Sequence, residues 1–170
     1  MKRGILILLV VVGCIGGAAS AHAIGWSLVN AKIRHDFPEV KRITTAELAA
    51  WMDDGKRPQP TLLDVRTRAE FEVSHLPRAR HITPDSAASV IREAKDQPIV
   101  TYCSVGYRSG GFAKKLMEAG YTNVVNLEGS IFRWANEGRP IVRDGRNVEQ
   151  VHPYNRTWGM LLKKQLRASL

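Results

Sequence analysis

The sequence is poor in cysteine, since its 170 residues include only two, Cys14 and Cys103. That number is too small for the disulfide framework on which small secreted domains depend. The chain also lacks internal repeats, low-complexity segments and any Lys/Arg run that alternates with aromatic residues, so nucleic-acid binding is not supported. The histidines His35, His75, His81 and His152 do not have the spacing of metal ligands. We therefore expect no metal, and no organic cofactor is implied. The length suits one domain with a proper core.

Basic residues outnumber acidic ones by 25 to 16, which gives a formal net charge of +9. This surplus favours anionic small molecules or a membrane surface as partners, although a solvated basic surface would explain it equally well. The basic stretch Trp158–Arg167 has three open interpretations. It could form an amphipathic helix on a membrane or partner, pack against the domain, or stay disordered.

The N-terminus has the pattern of a targeting segment. Lys2 and Arg3 precede an uncharged stretch, and Ala21–Ala23 fits the small-x-small pattern of a cleavage site. We therefore expect residues 1–23 to be a signal peptide that is cleaved after Ala23. The domain would then be exported, to the periplasm, with Cys103 as its sole thiol.

Two alternatives for this segment remain open. Val11–Cys14 resembles a bacterial lipoprotein box, which would place a lipid on Cys14. Alternatively, Gly4–Trp26 is long enough to stay as an anchor across a hydrocarbon core of about 30 Å. All three interpretations place the domain outside the cytoplasm, because basic residues stay inside.

Strand and helix patterns alternate along the rest of the chain. Strands are predicted near residues 40–43, 61–65, 79–82, 99–102, 123–127 and 140–142, and helices near 44–55, 67–73, 83–91, 109–120 and 128–138. Such alternation predicts an α/β fold in which a small parallel sheet is covered by helices on both faces. Residues 24–37 have no clear periodicity and are predicted to be a linker before a domain at 38–143. Residues 144–170 form a basic C-terminal extension.

Cys103 follows the apolar strand Ile99–Tyr102 and precedes a helix from about Ser109. Ligands of open α/β sheets bind at this end of the strands, and a helix N-terminus favours an anion. The placement lowers a cysteine pKa from about 8.5 into the range of about 3.5–7.5, and Arg108 adds a positive charge. A buried structural cysteine is the commoner role. It is disfavoured here because a cysteine that is followed by Ser104, Gly106 and Arg108 is not expected on an apolar face.

The loop Cys103-Ser-Val-Gly-Tyr-Arg108 resembles the active-site loop of the rhodanese-like sulfurtransferases. The segments Leu62–Phe71 and Ser74–Ile82 are similar to that family's opening signature, and Val125–Pro140 is similar to its closing signature. The resemblance covers residues 38–142.

Three departures from the family's pattern lie outside the loop. Ser74, Arg78 and Ser130 stand where small, glycine-like residues are usual, which puts the geometry of turns in question rather than the chemistry.

The resemblance implies a rhodanese-like fold and a thiosulfate sulfurtransferase activity. Cys103 would attack the outer sulfur of an anionic donor such as thiosulfate, release sulfite and pass the sulfur from a persulfide to a thiol or cyanide. The implied substrate-binding residues are Ser104, Val105, Gly106, Tyr107, Arg108 and Ser109, with Asp64 and Arg66 as support of the loop. For Arg66 and Arg108, pairing with a surface carboxylate is the alternative. Glu128 and His75 are expected to make structural hydrogen bonds.

Two other functions use the same fold. Phosphatases and arsenate reductases typically have a loop one residue longer, with a histidine before the cysteine. Here four residues separate Cys103 from Arg108 and Tyr102 precedes the cysteine, and both features favour sulfur. A persulfide carrier or partner-binding module without turnover remains the third interpretation.

Overall fold

The computed structural model describes residues 22–170. The first helix, α1, covers residues 22–36 of this part. The remaining helices are α2 (Thr45–Asp53), α3 (Arg68–Val73), α4 (Tyr107–Glu118), α5 (Ser130–Asn136) and α6 (Arg156–Gly159). The strands are β1 (Lys41–Ile43), β2 (Thr61–Asp64), β3 (Arg80–His81), β4 (Ile99–Tyr102), β5 (Val124–Leu127), β6 (Ile141–Arg143) and β7 (Arg146–Val148).

Five strands form one parallel sheet in the order β1-β5-β4-β2-β3. The central strand is β4, which carries Cys103 at its carboxyl end. The predicted parallel α/β architecture is therefore confirmed. Strands β6 and β7 form a separate antiparallel hairpin, of which the sequence patterns indicated only the first strand.

The sheet separates two hydrophobic clusters. Along β4, Val100 belongs to the cluster that contains Phe132 of α5, whereas Ile99 belongs to the cluster that contains Phe112 and Leu116 of α4. This alternation follows from the two-residue period of a strand. Helices therefore cover both faces of the sheet, as predicted.

Two segments differ from their predicted structure. Most of the linker predicted at 24–37 belongs to α1, which buries Trp26, Asn30 and Ile33 against the domain. The helix predicted at 83–91 is reduced to one 3₁₀ turn, Ala88–Val90. Few side chains of that segment are buried, so a regular helix there would have little apolar surface to cover.

The C-terminal extension packs against the domain. Val151, Leu161 and Leu162 are buried, and Val151 pairs with Arg167 in an isolated parallel bridge. Of the three interpretations of this segment, the packed one fits the structure, although α6 is only four residues long.

The expectations for the targeting segment fall almost entirely outside the described residues. Cleavage after Ala23, a lipid on Cys14 and an anchor at Gly4–Trp26 all depend on residues 1–21. Between residues 22 and 170, no helix combines the length and the apolar character needed to cross a membrane.

Candidate active site

Cys103 lies between the end of β4 and the start of α4, and only 1% of its surface is exposed. The backbone N–H of Gly106 donates a hydrogen bond to Cys103 Sγ at 3.1 Å. Gly106 caps α4 with a φ of 113°, a conformation that glycine adopts without strain. The turn after the strand therefore folds back so that amide groups at the start of α4 face the sulfur.

The surroundings of Cys103 favour its thiolate. Burial acts to raise the pKa of the thiol. It is outweighed by the positive charge of Arg108, by the N–H and hydroxyl of Ser109 and by the N–H of Gly106, so the pKa lies below its ordinary value. A thiolate rather than a thiol is the nucleophile in sulfur chemistry.

We expect this pKa to be measurable as a titration of thiolate absorbance in the near ultraviolet. The titration of the intact protein minus that of Cys103→Ser should have a midpoint clearly below the value of about 8.5 for a free cysteine. Removing the guanidinium in Arg108→Gln should move the midpoint upward. A midpoint at or above that of the urea-unfolded protein would contradict the reactive-thiolate interpretation.

The first turn of α5 holds the backbone of the loop from the other side. Ser130 Oγ accepts a hydrogen bond from the Cys103 N–H at 3.1 Å. The N–H groups of Ile131 and Phe132 donate to the carbonyl oxygens of Cys103 and Ser104 at 3.2 and 3.1 Å. Unpaired donors at a helix start are thus satisfied by the carbonyl groups of the loop.

A buried amide on β5 fixes the far end of the loop. Asn126 donates from Nδ2 to the carbonyl oxygen of Gly106 at 2.9 Å and accepts at Oδ1 from the Ser109 hydroxyl at 2.7 Å. Thr101 on β4 also donates to the carbonyl oxygen of Ser109. These bonds connect the loop to two neighbouring strands of the sheet.

Glu70 connects the two ends of the loop to α3. Its carboxylate accepts a bidentate pair from Arg108 at 2.7 and 2.8 Å and a bond from the Ser104 hydroxyl at 2.9 Å. Although burial acts to raise the pKa of Glu70, Arg108 and the N-cap bond from Thr67 hold it down at about 2. In the sequence, Thr67-Arg-Ala-Glu70 has the pattern of a capping box, which does not mark Glu70 as part of the site.

Asp64 and Arg66 form a fully buried ion pair behind the loop. Arg66 donates from Nε and Nη2 to the carboxylate at 2.7–3.2 Å, and Nη2 also donates to the carbonyl oxygen of Ser74 at 2.6 Å. The surface pair considered for Arg66 is therefore wrong, because both side chains are inaccessible to solvent. The guanidinium lies 6.0 Å from the ring centroid of Tyr102, the residue before Cys103.

The structure brings the predicted substrate-binding residues of the loop together around Cys103. Val105 is buried in the core, and the exposed Tyr107 donates its hydroxyl to Asp36 of α1 at 2.7 Å. The expected structural bond of Glu128 is present, from Asn30 at 3.2 Å. In the described part of the chain, no His, Cys, Asp or Glu cluster could hold a metal ion.

Comparison with protein families matches residues 44–137 to the model of the rhodanese-like domain. The chain belongs to the rhodanese-like domain family. The match includes the whole loop, the ion pair behind it and the first turn of α5. The family that the sequence motifs indicated is therefore confirmed.

Known rhodanese-like proteins differ in the activities for which they are named. The chain is 39% identical over 85 residues to a sulfurtransferase of Allochromatium vinosum, which covers 48% of this chain and 77% of that protein. It is 31% identical over 116 residues to a tRNA uridine(34) hydroxylase of Erwinia tasmaniensis, which covers 62% of this chain and 32% of that protein. The chain spans a quarter to a third of the length of several curated relatives that it matches.

A solved structure supports the same fold. A rhodanese-like domain protein from Staphylococcus aureus superposes with a TM-score of 0.55 at 28% identity, covering 62% of this chain and 99% of that protein. Helix α1, strand β1 and the C-terminal extension lie outside the residues that the family model matches.

The three departures from the rhodanese pattern have different structural consequences. Arg78 and Ser130 adopt positive φ angles of 64° and 49°, where glycine is unstrained, whereas Ser74 is fully extended. At Ser130 the side chain supplies something that glycine lacks, because its hydroxyl accepts the Cys103 N–H and donates to the carbonyl oxygen of Leu127.

Proposed function

We propose that this rhodanese-like chain is a sulfurtransferase that moves a sulfane sulfur from an anionic donor such as thiosulfate to a thiol or cyanide. The observation that carries the proposal is the cradle around Cys103 Sγ. A buried sulfur receives the Gly106 N–H at the start of α4, and its pKa is lowered. That arrangement stabilises an anion on sulfur, in the thiolate and in the persulfide alike.

The reaction divides into two displacements at sulfur. The Cys103 thiolate attacks the outer sulfur of thiosulfate, a bond forms between Sγ and that sulfur, and the sulfur–sulfur bond of the donor breaks with its electron pair leaving as sulfite. The acceptor thiolate or cyanide then attacks the outer persulfide sulfur. The bond to Sγ breaks, its electron pair returns to Cys103, and the product is an acceptor persulfide or thiocyanate.

In this proposal, the amides of Ser104–Ser109 act as preorganised donors toward the transferred sulfur. Arg108 is engaged by Glu70, so its contribution is positive charge beside Cys103 and a fixed link between Ser104 and α3. Asp64 and Arg66 lie at the end of β2, where they support the neighbouring end of β4 that leads into the loop. No cofactor is required, because the sulfur and its electrons come from the donor.

The first experiment is mass spectrometry of the purified chain after incubation with thiosulfate. We expect a mass gain of one sulfur atom on the peptide that contains Cys103, and its loss when cyanide is added, with formation of thiocyanate. A stable persulfide that neither cyanide nor any thiol removes would support a carrier without turnover. A chain that gains no sulfur from thiosulfate or from an organic persulfide would overturn the proposal.

We also expect the loop to discriminate against phosphate. A phosphoryl group presents three equatorial oxygens that all need donors, whereas the loop between Cys103 and Arg108 surrounds one sulfur. Aryl phosphate hydrolysis should be negligible beside thiosulfate:cyanide sulfur transfer. Inserting one glycine between Val105 and Gly106 should lower sulfur transfer by at least about tenfold, since displacement of the donors misplaces the reacting atoms.

Both activities would be assayed on both proteins, with a glycine inserted after Gly145 in the exposed β6–β7 turn as the matched control. Faster hydrolysis of aryl phosphate than transfer of sulfur by the unmodified loop would mean that a phosphatase function is the better conclusion.

A further inference from the structure

A pocket of about 310 Å³ opens on the outer side of the catalytic loop. Its walls include Val105 and Tyr107 of the loop region, Lys32 of α1, and Tyr154 and Trp158 of the C-terminal extension. Three aromatic side chains therefore surround a space directly beside Ser104 and Arg108. The volume is at the lower end of the range for pockets that bind small molecules.

The residues that distinguish this pocket come from outside the matched rhodanese domain. Lys32 precedes residue 44, and Tyr154 and Trp158 follow residue 137. The packing of α1 and of the C-terminal extension against the domain brings them to the loop. The pocket thus combines loop residues of the matched domain with residues from outside it.

The aromatic walls are held in place by contacts with the loop and with α1. The guanidinium of Arg108 lies 4.8 Å from the ring centroid of Tyr154, and Lys32 Nζ lies 5.3 Å from that of Tyr107. The backbone N–H of Trp158 donates to Asn155 Oδ1 at 2.9 Å, the bond that caps α6. The Tyr107 and Tyr154 rings therefore have defined partners, and Trp158 lies in the first turn of a capped helix.

The charges at the pocket are paired within the protein. Lys32 Nζ is 2.8 Å from Asp36 Oδ2, and Arg108 makes its bidentate pair with Glu70. What the pocket presents to a ligand is apolar and aromatic surface. A body that is neutral and apolar fits this surface better than a second anionic group.

A second, larger groove is lined by the same tryptophan. It has a volume of about 590 Å³ and runs between Leu28 and Val29 of α1 and Met160 and Leu161 of the extension, with Trp158 lining both spaces. Trp158 is 36% exposed. The pocket beside the loop and this groove thus share Trp158 as a wall.

We propose that the pocket and the groove bind the apolar body of the sulfur acceptor, so that this acceptor is an aliphatic or aromatic thiol. This inference rests on the proposed sulfurtransferase function. Thiosulfate is too small to need such a site. Cys103 is buried and does not line the pocket, but its neighbour Ser104 does. In this proposal the acceptor approaches the outer persulfide sulfur over Ser104, from the side on which the pocket lies. The acceptor thiolate forms a new bond to the outer sulfur, the bond between that sulfur and Cys103 Sγ breaks, and its electron pair returns to Cys103.

The test measures the second half-reaction alone. The persulfide is prepared with thiosulfate, excess donor is removed, and the second-order rate constant is measured with n-alkanethiols from ethanethiol to octanethiol. We expect the rate constant to rise by up to about fourfold per methylene, the value for complete burial of a methylene group. The ratio of octanethiol to ethanethiol should fall at least about tenfold in Trp158→Ala, while Val90→Ala, an exposed change elsewhere, should keep the ratio. A rate constant independent of chain length would overturn the inference while the proposed function stands.

A binding measurement distinguishes failure of the apolar site from failure of the sulfurtransferase function. If no persulfide can be formed, the proposed function fails, but the site can still be tested with octan-1-ol, an unreactive analogue of octanethiol. Three of the four tryptophans are buried, so emission changes should report mainly Trp158. Saturable binding of octan-1-ol that is weakened in Leu28→Ala, which keeps Trp158 as the reporter, would support the apolar site, with ethanol as the control. Absence of binding would overturn it.

Discussion

Replacing Cys103 with serine is expected to abolish sulfur transfer, lowering the thiosulfate:cyanide rate by at least about 10⁴-fold, to the level of the uncatalysed reaction. A serine hydroxyl is not ionised at neutral pH in the way a lowered-pKa thiol is, and it cannot form a persulfide. The amides of the loop would still be in place, but without a nucleophilic sulfur they cannot accelerate the transfer.

The fold should survive this change. Serine is close to cysteine in size, and its oxygen can accept the Gly106 N–H in place of the sulfur. We expect urea unfolding of Cys103→Ser to give a free energy of unfolding within about 1 kcal/mol of the parent, as is usual for near-isosteric changes. Sulfur transfer that persisted in a folded Cys103→Ser protein would contradict the assignment of the nucleophile. Mapping the added sulfur to Cys14, the other cysteine, would contradict it as well.

Much of the framework could be predicted because its signals are local. Thr44 and Thr67 each start one of the predicted helices with a capping box, in which the threonine hydroxyl accepts from the N3 backbone N–H. The strand Ile99–Tyr102 was also identified within its observed bounds. Each of these patterns depends on residues within one turn or one strand, so a single sequence contains the whole signal.

The residues that fix the loop could not be found in this way. Glu70 is 38 residues from its partner Arg108, and Asn126 is 17 residues from its partner Ser109. The sheet order places β5 on one side of β4 and β2, which leads into α3, on the other. Nothing in the local sequence specifies those pairings. Ser130 was noted only as a departure from glycine, although its hydroxyl accepts the backbone N–H of Cys103 and so helps to fix the loop.

Helix α1 was missed for a different reason. Its buried face includes Trp26, Asn30 and Ile33, so a polar residue interrupts the apolar period that would reveal an amphipathic helix. Asn30 is accommodated there because it donates to Glu128. Glu128, the partner that explains a polar residue on this face, is 98 residues away in the chain. The sequence around α1 alone therefore does not indicate the helix.

The buried pair behind the loop should have the largest effect on stability. Asp64→Asn removes the negative charge that faces the Arg66 guanidinium, and both groups are inaccessible to solvent. The Asp64 carboxylate raises the pKa of Arg66 against the effect of burial. Arg66 stays charged even when this partner is lost, because a guanidinium is not deprotonated in proteins. An unpaired charge is then left in the interior, and breaking such a pair typically costs about 3–5 kcal/mol.

The matched control is Glu72→Gln, which breaks the Arg68–Glu72 pair on the surface of α3. That pair is as short, at 2.7 Å, but its side chains are 70% and 60% exposed, so we expect a change of about 0–1 kcal/mol. Urea unfolding monitored by tryptophan emission would measure both variants. Domains of this size are stable by about 5–15 kcal/mol, so Asp64→Asn should lower the urea concentration at the midpoint of unfolding markedly. The reactivity of Cys103 should also become heterogeneous, because the loop that carries it loses its support. Equal small effects of the two variants would mean that Asp64 and Arg66 do not support the loop.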